Sequence, residues 1–503
     1  MRLVRMTFKA IMVMLIAGGW ISVSGGAFAQ GGDISGSAED LSGFGYDNVP
    51  APEAPAPGLN WETGVGKSHL IPALEIPGFI MALNVYSRIT NASAENHGKK
   101  VFSVTLSTFR DHVLHGPWGF DPDAFKVNQL LHPYQGAMYY GFARSAGLGF
   151  WESSVYTFVG SFLWETGGET TAPSINDQIA SGIAGAYFGE ALFRMANRLL
   201  EGGAEKPGFW RQLGAAALSP TTGFNRLAFG ERFKPVFPSH DPATFWRLRT
   251  GAYLNSRAFT LGGLNPVGRK DVTANFSMAY GLPGKPGYEY ARPLDYFHVE
   301  LIAVSNVHNP VEDVIIRGLL IGGKYEAGDS YRGIWGLYGG YDYIAPQIFR
   351  VSSTGVSIGT SYQWSPAHLV ALQGSVLGGV VGYGAAGNIA GLGERDYHYG
   401  IAPQGTLALR LSLGGRVMLD ATGRQYYITG LGSTETGGDE NIGRLNLGLT
   451  IRVYGPHALG IQYLGSRRDA HYPDKPYSHQ SVEGFTLAYT LLGDTRFGAV
   501  EWR

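Results

Sequence analysis

Residues 443–453 read GRLNLGLTIRV. Leu445, Leu447, Leu449, Ile451 and Val453 take every second place, and Arg444, Asn446, Thr450 and Arg452 fill places between them. A period of two sets the apolar residues on one side of a sheet and the polar ones on the other. The run exceeds the mean globular strand of about 5–6 residues and matches the about 9–11 that a tilted strand needs to cross a bilayer. The pattern recurs upstream. In TLALRLSL (406–413) four leucines oppose Thr406, Arg410 and Ser412, and in VMLDATGRQY (417–426) the polar set is Asp420, Thr422 and Arg424.

Extending this reading gives strands at about 244–257, 271–281, 295–305, 311–325, 330–343, 347–364, 367–383, 397–413, 416–429, 441–454, 458–467 and 480–492. Short turns (SLGGR, YGPHA, WSPAH) alternate with longer polar connections such as 430–440 and 468–479. Short turns at one rim and long loops at the other are the arrangement of an outer-membrane β-barrel. Residues 496–502 (RFGAVEW) read either as a thirteenth strand or as a short tail. A secreted β-sandwich or solenoid is the bland alternative, and no fixed-length repeat supports the solenoid.

Composition agrees with export. Arg2, Arg5 and Lys9 precede the apolar run IMVMLIAGGWI, and Ala27-Phe28-Ala29 supplies a small-x-small cleavage site, so residues 1–29 read as a signal peptide. That segment carries three of the 39 basic residues and no acid, leaving 36 against 40 and a net charge of −4, which excludes a nucleic-acid partner. The chain has no cysteine, so no disulfide or lipidated thiol is available. Gly is 74 of 503 residues, about twice its usual share of ~7%, and Tyr at 28 is the commonest aromatic. Residues 30–60 form a Gly, Ser and Pro-rich linker, 61–205 have a helical texture, and 206–243 form a proline-broken connector to a barrel over 244–503. The expected class is therefore α+β, a small helical domain followed by an antiparallel transmembrane β-barrel of about 12 strands.

Three helices fit between 124 and 202. Pro133 opens the first at N1 with His132 beside the cap. The second covers about 150–166 and stops at Gly167-Gly168, which leaves Glu169 in a loop. The third begins at Ser174, with Asp177 three places on in a capping-box spacing. Glycines and alanines on the first and third, Gly136 among them, allow close approach.

The stretch HPYQGAMYYGFARSAGLGFWESSVYTFVGSFLWETGGETTAPSINDQIASGIAGAYFGEAL (132–192) resembles the signature of a bacterial family catalogued as domain of unknown function 3943. The shared elements are His-Pro-Tyr-x-Gly (His132, Pro133, Tyr134, Gly136), Ala-Arg-Ser (with Arg144), Phe-Trp-Glu-Ser (with Glu152), Trp-Glu-x-x-x-Glu (Trp164, Glu165, Glu169) and Pro-Ser-Ile-Asn-Asp (Ser174, Asn176, Asp177). SPTTGFNRLAFG at 219–230 resembles a further element, with Ser219 and Thr222 where the family has asparagine and arginine. The resemblance implies an exported protein with a β-rich C-terminal part and no established activity.

Each polar signature residue has a structural reading. Glu152 offsets a helix dipole, Asp177 caps, and His132 sits near a cap. Glu165, beside Trp164 in apolar surroundings, is the one hardest to explain as structure, because a buried carboxylate is paired, neutral or metal-bound. Arg144 and His132 are its expected partners. His132, Glu165, Glu169 and Asp177 are the candidate catalytic residues. No Glu-x-x-His or His-x-x-x-His spacing marks a metal site, and no nucleophile elbow, phosphate loop or dinucleotide fingerprint occurs, so neither metal nor cofactor is expected. In the strands, Arg247, Arg249, Arg317, Arg410, Arg424, Arg444 and Arg452 are expected to face the lumen, with Glu300 and Asp420 among the opposing acids.

The functional expectation is an outer-membrane barrel of a Gram-negative envelope with the helical domain as plug or periplasmic base. Its role would be structural or in transport, and its carboxylates would anchor it to the barrel's arginines or to Arg144. Its partners are the outer-membrane bilayer and, during biogenesis, the barrel-assembly machinery. One alternative is an outer-membrane enzyme acting on lipid or envelope polymer, using His132 and Glu165. The other is a periplasmic adaptor binding through the helices.

Overall fold

The computed structural model describes residues 58–502 apart from 92–94, 97–98, 122, 203–205, 261–263, 269, 307–308, 347, 380–381, 388–396, 431–437 and 474. The expected signal peptide and nearly all of the linker lie outside the described residues.

Twelve strands close a ring. They are β1 (Thr244–Thr260), β2 (Val272–Tyr280), β3 (Phe297–Val304), β4 (Val311–Ala327), β5 (Tyr331–Ile344), β6 (Val351–Ala367), β7 (Val370–Gly378, resuming as Gly382–Gly387), β8 (Tyr397–Ile401, resuming as Gln404–Leu413), β9 (Val417–Thr429), β10 (Asp439–Tyr454), β11 (His457–Tyr472) and β12 (Lys475–Leu492). Each pairs antiparallel with its neighbours, β12 pairs β1, and β6 pairs β7, so the barrel has no open seam.

The register fixes which face is which. Arg317 of β4 reaches Thr406 of β8, Arg424 of β9 reaches Glu300 of β3, Arg444 of β10 reaches Asp313 of β4, and Arg247 of β1 reaches Asp420 of β9. None of these strands are neighbours, so these side chains cross the interior. The intervening Leu407, Leu419, Leu445, Leu447, Ile451, Leu459, Ile461 and Leu487 point outward and are exposed. Of the arginines expected to face inward, Arg247, Arg249, Arg317, Arg424 and Arg444 are buried and Arg410 is half-buried. Arg452 differs: it sits at the rim and donates to the carbonyls of Gly415 and Gly455, because the strand ends there in a turn.

Side chains of the barrel itself fill the lumen. At the long-loop end Ile315, Ile344, Tyr426, Ile428, Ile442 and Val482 meet Ile348 and Phe349 of the β5–β6 loop. At the short-turn end Phe245, Met418, Ala458 and Leu492 meet Phe497 and Val500. Residues 496–502 are thus a tail folded into the barrel mouth and not a thirteenth strand. Gln373 donates to Gly498 O at 2.7 Å, and Gln363 donates to Val500 O and accepts from Val500 N. The loop expected at 468–479 is instead a hairpin, because β11 and β12 continue past their leucines as polar strand (RRDAHY, KPYSHQ).

The helices are α1 (Leu70–Thr90), α2 (Leu106–His115), α3 (His132–Ser145, entered through a π turn Val127–Leu131), α4 (Phe150–Gly167), α5 (Ile175–Ile179, a π turn Ala180–Ala184, then Gly185–Glu201), α6 (Phe209–Leu218) and α7 (Pro220–Ala228). The segment 206–243 is therefore not an irregular connector: α6 and α7 occupy it, and Pro220 starts a helix where its missing N–H costs nothing. His132 also departs from expectation. The helix begins before it, so His132 lies at a π-to-α junction and not beside a cap.

These helices neither enter the lumen nor sit beneath the barrel. They pack on its outer wall. Phe188 stacks on Tyr341 at 6.2 Å, Phe125 meets Tyr343 at 5.8 Å, and the Tyr341 hydroxyl donates to Gln129 O at 2.5 Å. Tyr341 and Tyr343 flank the inward-facing Asp342, and that alternation requires them to point outward. Glycine makes the contact possible: a Cβ on Gly339 would lie 2.5 Å from the Tyr187 ring.

Charge fastens the two parts with polarity opposite to the expectation. Glu190 lies between Arg144 (2.8 Å) and Arg194 (2.6 Å), and Arg194 donates to Asp295 and Pro293 O of the β2–β3 loop at 2.8 and 2.7 Å. The barrel offers the acid and the helices offer the arginine. The lumenal Arg247, Arg317, Arg424 and Arg444 already pair with acids inside the barrel.

Candidate functional site

Two glycine contacts bring the signature residues together. A Cβ on Gly136 would lie 2.0 Å from Ser181 O, and one on Gly185 2.7 Å from Gly136 C, so α3 and α5 touch backbone to backbone. Both helices carry a π turn beside this crossing, which re-aims the side chains that follow. His132 then faces the start of α5, with Nδ1 3.5 Å from Ser181 Oγ and Nε2 3.8 Å from Asp177 Oδ2. Glu165 arrives from the last turn of α4, and its Oε2 accepts the Ser174 N–H at 2.9 Å. One ligand-type atom from each of His132, Glu165 and Asp177 falls within a 4.8 Å set, and all three residues are buried.

The loop before α5 organises this cluster. Ser174 Oγ accepts from Asp177 N at 3.2 Å, as the capping reading expects. The Asp177 carboxylate is not a capping group: its Oδ1 accepts from Asn176 Nδ2 at 3.1 Å and its Oδ2 turns to His132. Asn176 Oδ1 accepts from Asp121 N and Ser174 Oγ, and its Nδ2 also donates to Tyr399 Oη at 2.7 Å. Tyr383, Tyr397 and Tyr399 of the outer wall thus close the site from the barrel side, Tyr399 stacking on Tyr383 at 5.2 Å and meeting Tyr397 edge-on at 5.4 Å.

Electrostatically the site is crowded with like charge. Burial, then the proximity of Asp177 and Asp123, pushes Asp121 up to about 7, while burial pushes Asp177 and Glu169 up to about 7 as well. Burial holds His132 below its ordinary value, so the ring is neutral near pH 7 despite the surrounding acids. Among the described residues no lysine or arginine lies within ion-pair distance of Glu165, Glu169 or Asp177. Arg144, one expected partner of Glu165, belongs to Glu190 instead.

Other signature residues are structural. Glu152 accepts from Gly149 N at 2.7 Å and pairs with Lys67 at 2.9 Å, and these contacts hold its carboxyl below the usual range. Glu169 follows the end of α4 at Gly167, as expected, and accepts from Thr171 Oγ1 at 3.0 Å. The spacing rules missed the triad because its members come from three different helices. The tyrosines of β7 and β8 gave no sequence signal beyond their abundance.

Residues 117–221 match the family described as Domain of unknown function (DUF3943). The DUF3943 segment contains every residue of the cluster and ends before the barrel begins. No curated protein matches the chain. Among solved structures, the NanC porin is similar at 9% identity and a TM-score of 0.23, over 48% of this chain and 98% of that one. The Pseudomonas putida toluene transporter TodX is similar at 10% identity and a TM-score of 0.19, over 51% and 91%. Pseudomonas aeruginosa OccK2, solved with glucuronate, is similar at 9% identity and a TM-score of 0.18, over 50% and 98%.

Proposed function

We propose that this protein is an outer-membrane barrel that serves as a membrane anchor and wall for its DUF3943 domain. The observation that carries the reading is the outward face of β8–β12. It presents exposed leucine, isoleucine and tyrosine without interruption by charge between Leu445 and Ile451, while the alternate residues are polar and buried. Only a surrounding of acyl chains makes that distribution favourable, since water would oppose it. The helical domain also exposes apolar residues: Leu70, Leu74, Met81 and Val85 of α1, and Trp151, Val155, Val159 and Phe162 of α4.

Sealing of both mouths by Phe349 and by Phe497 favours a structural role over a continuous pore. In a planar bilayer the purified protein is expected to insert without conductance steps, and to run with heat-modifiable mobility in detergent gels. A freely soluble exported protein without that mobility overturns the reading. Transport keeps one specific footing: a lumenal cavity of about 120 Å³ lined by Arg247, His298, Glu300, Arg317, Arg410 and Arg424. Discrete conductance after removal of 494–503 favours it.

A second reading, an enzyme acting on envelope lipid, is favoured by the convergence of His132, Glu165 and Asp177 beside the apolar helices. A changed phospholipid or lipid A profile in a His132→Ala strain with a folded barrel supports it. An unchanged profile counts against it.

A further inference from the structure

The cluster in the DUF3943 domain has the geometry of a metal centre. Two ligands held about 2.1 Å from a tetrahedral ion stand about 3.4 Å apart. His132 Nε2 and Asp177 Oδ2 stand 3.8 Å apart, and the Glu165 oxygen completes a triad within 4.8 Å. Closing on an ion therefore asks for shifts on the order of 1 Å, within reach of side-chain rotation. The donors are one imidazole and two carboxylates, and they reach the cluster from three helices.

A second shell supports each donor. Ser181 Oγ lies beside Nδ1 of His132, which leaves Nε2 to face the cluster. Asn176 Nδ2 holds the far oxygen of Asp177, and Ser174 N holds one oxygen of Glu165. Such outer partners fix ring tautomer and carboxylate orientation at metal sites. A neutral imidazole with two ionised carboxylates carries two negative charges, the complement of a divalent cation. No basic side chain among the described residues supplies that compensation to Glu165 or Asp177. Leaving two such groups ionised and uncompensated in a buried site is costly.

We propose that His132, Glu165 and Asp177 bind one divalent transition-metal ion of the zinc or manganese class. The three ligands leave at least one coordination position for water or a substrate oxygen. The mixed nitrogen and oxygen set favours these ions over calcium or magnesium, which prefer all-oxygen shells.

The test uses the full chain in detergent, stripped with a chelator and titrated with ZnCl2 and with MnCl2 by calorimetry. Expected is saturable binding of one ion per chain, weakened at least about 10-fold by Glu165→Gln and by Asp177→Asn. Glu152→Gln, on the same helix as Glu165 but outside the cluster, is expected to bind as the parent does. The ion should also raise the unfolding temperature of the parent and not of Glu165→Gln. Heat-modifiable mobility confirms that each variant is folded, and if Asp177→Asn fails that check the nearly isosteric Glu165→Gln decides. Absence of saturable binding, or equal binding by parent and Glu165→Gln, overturns the proposal.

Discussion

The molecule has two buried polar interiors, and they balance charge in opposite ways. In the barrel lumen β1, β3, β4, β5, β9 and β10 contribute to a lattice in which arginine meets carboxylate: Arg247 and Arg249 with Asp420, Arg424 with Glu300, Arg444 with Asp313, Arg317 with Asp342. In the helical domain His132, Glu165 and Asp177 meet one another with no cationic side chain between them. Burial is similar, yet the consequences diverge. A paired interior is finished and holds the wall shut, because breaking a pair strands its partner in low dielectric. An interior of like charges is unfinished and gains stability from whatever neutralises it, proton or metal.

The largest expected effect comes from breaking the paired side. Asp420→Ala leaves Arg247 and Arg249 buried without their acid and should cost about 3–5 kcal/mol, read as a lower temperature for loss of the folded gel band. Glu190→Ala should do the same to the helical domain by stranding Arg144 and Arg194, seen as rapid proteolysis of residues 58–243 while the barrel survives. Next in size is the contact between the two parts. Gly339→Val drives a side chain into the Tyr187 ring, and overpacking of this kind costs about 1–3 kcal/mol; limited proteolysis should then release the helices.

The unpaired side should respond with the reverse sign. Glu165→Gln removes one carboxylate from the cluster and is expected to stabilise the chelated protein at pH 8 by about 1 kcal/mol. A loss comparable to that of Asp420→Ala would erase the contrast. Acid distinguishes the interiors as well. Neighbouring Arg144 and Arg194 outweigh burial and hold Glu190 down to about 2, so its stabilisation is complete above the unfolded value near 4.5 and fades as pH falls toward 2. Asp121 and Glu169, raised to about 7, bind protons more tightly folded than unfolded, so in the chelated protein the stability they contribute at low pH is lost as pH rises from about 4 to 7 and stays lost above that. The unfolding midpoint of the helical domain should therefore be lower at pH 8 than at pH 5. The smallest effect belongs to Glu152→Gln. It touches only a partly exposed cap and a surface pair with Lys67 and should cost less than about 1 kcal/mol.

Legibility followed periodicity. The run that ends at Val453 lies within β10, and the ranges read for β2, β9 and β10 differ from the folded ones by one or two residues, because apolar residues alternate with polar or small ones along much of their length. Reading fell short at β11 and β12, whose outer halves carry no alternating leucines. It also failed over 206–243, where five prolines suggested a break although Pro220 begins α7. In the site, the sequence singled out His132, Glu165, Glu169 and Asp177 by type. It could not say that three of them meet, since 45 residues separate His132 from Asp177 and nothing local encodes the crossing of α3 and α5.

The sequence by itself determined the wall: side-chain alternation is a property of neighbours along one chain, so the outward-facing and lumen-facing rows were readable before any fold. Only the tertiary structure decided where the helices sit, that the tail folds into the barrel mouth, and that the acidic cluster forms without an arginine. Those outcomes depend on which surfaces meet, and glycine contacts such as Gly136 on Ser181 and Gly339 on Tyr187 set that through shape, a property that no spacing along the chain records.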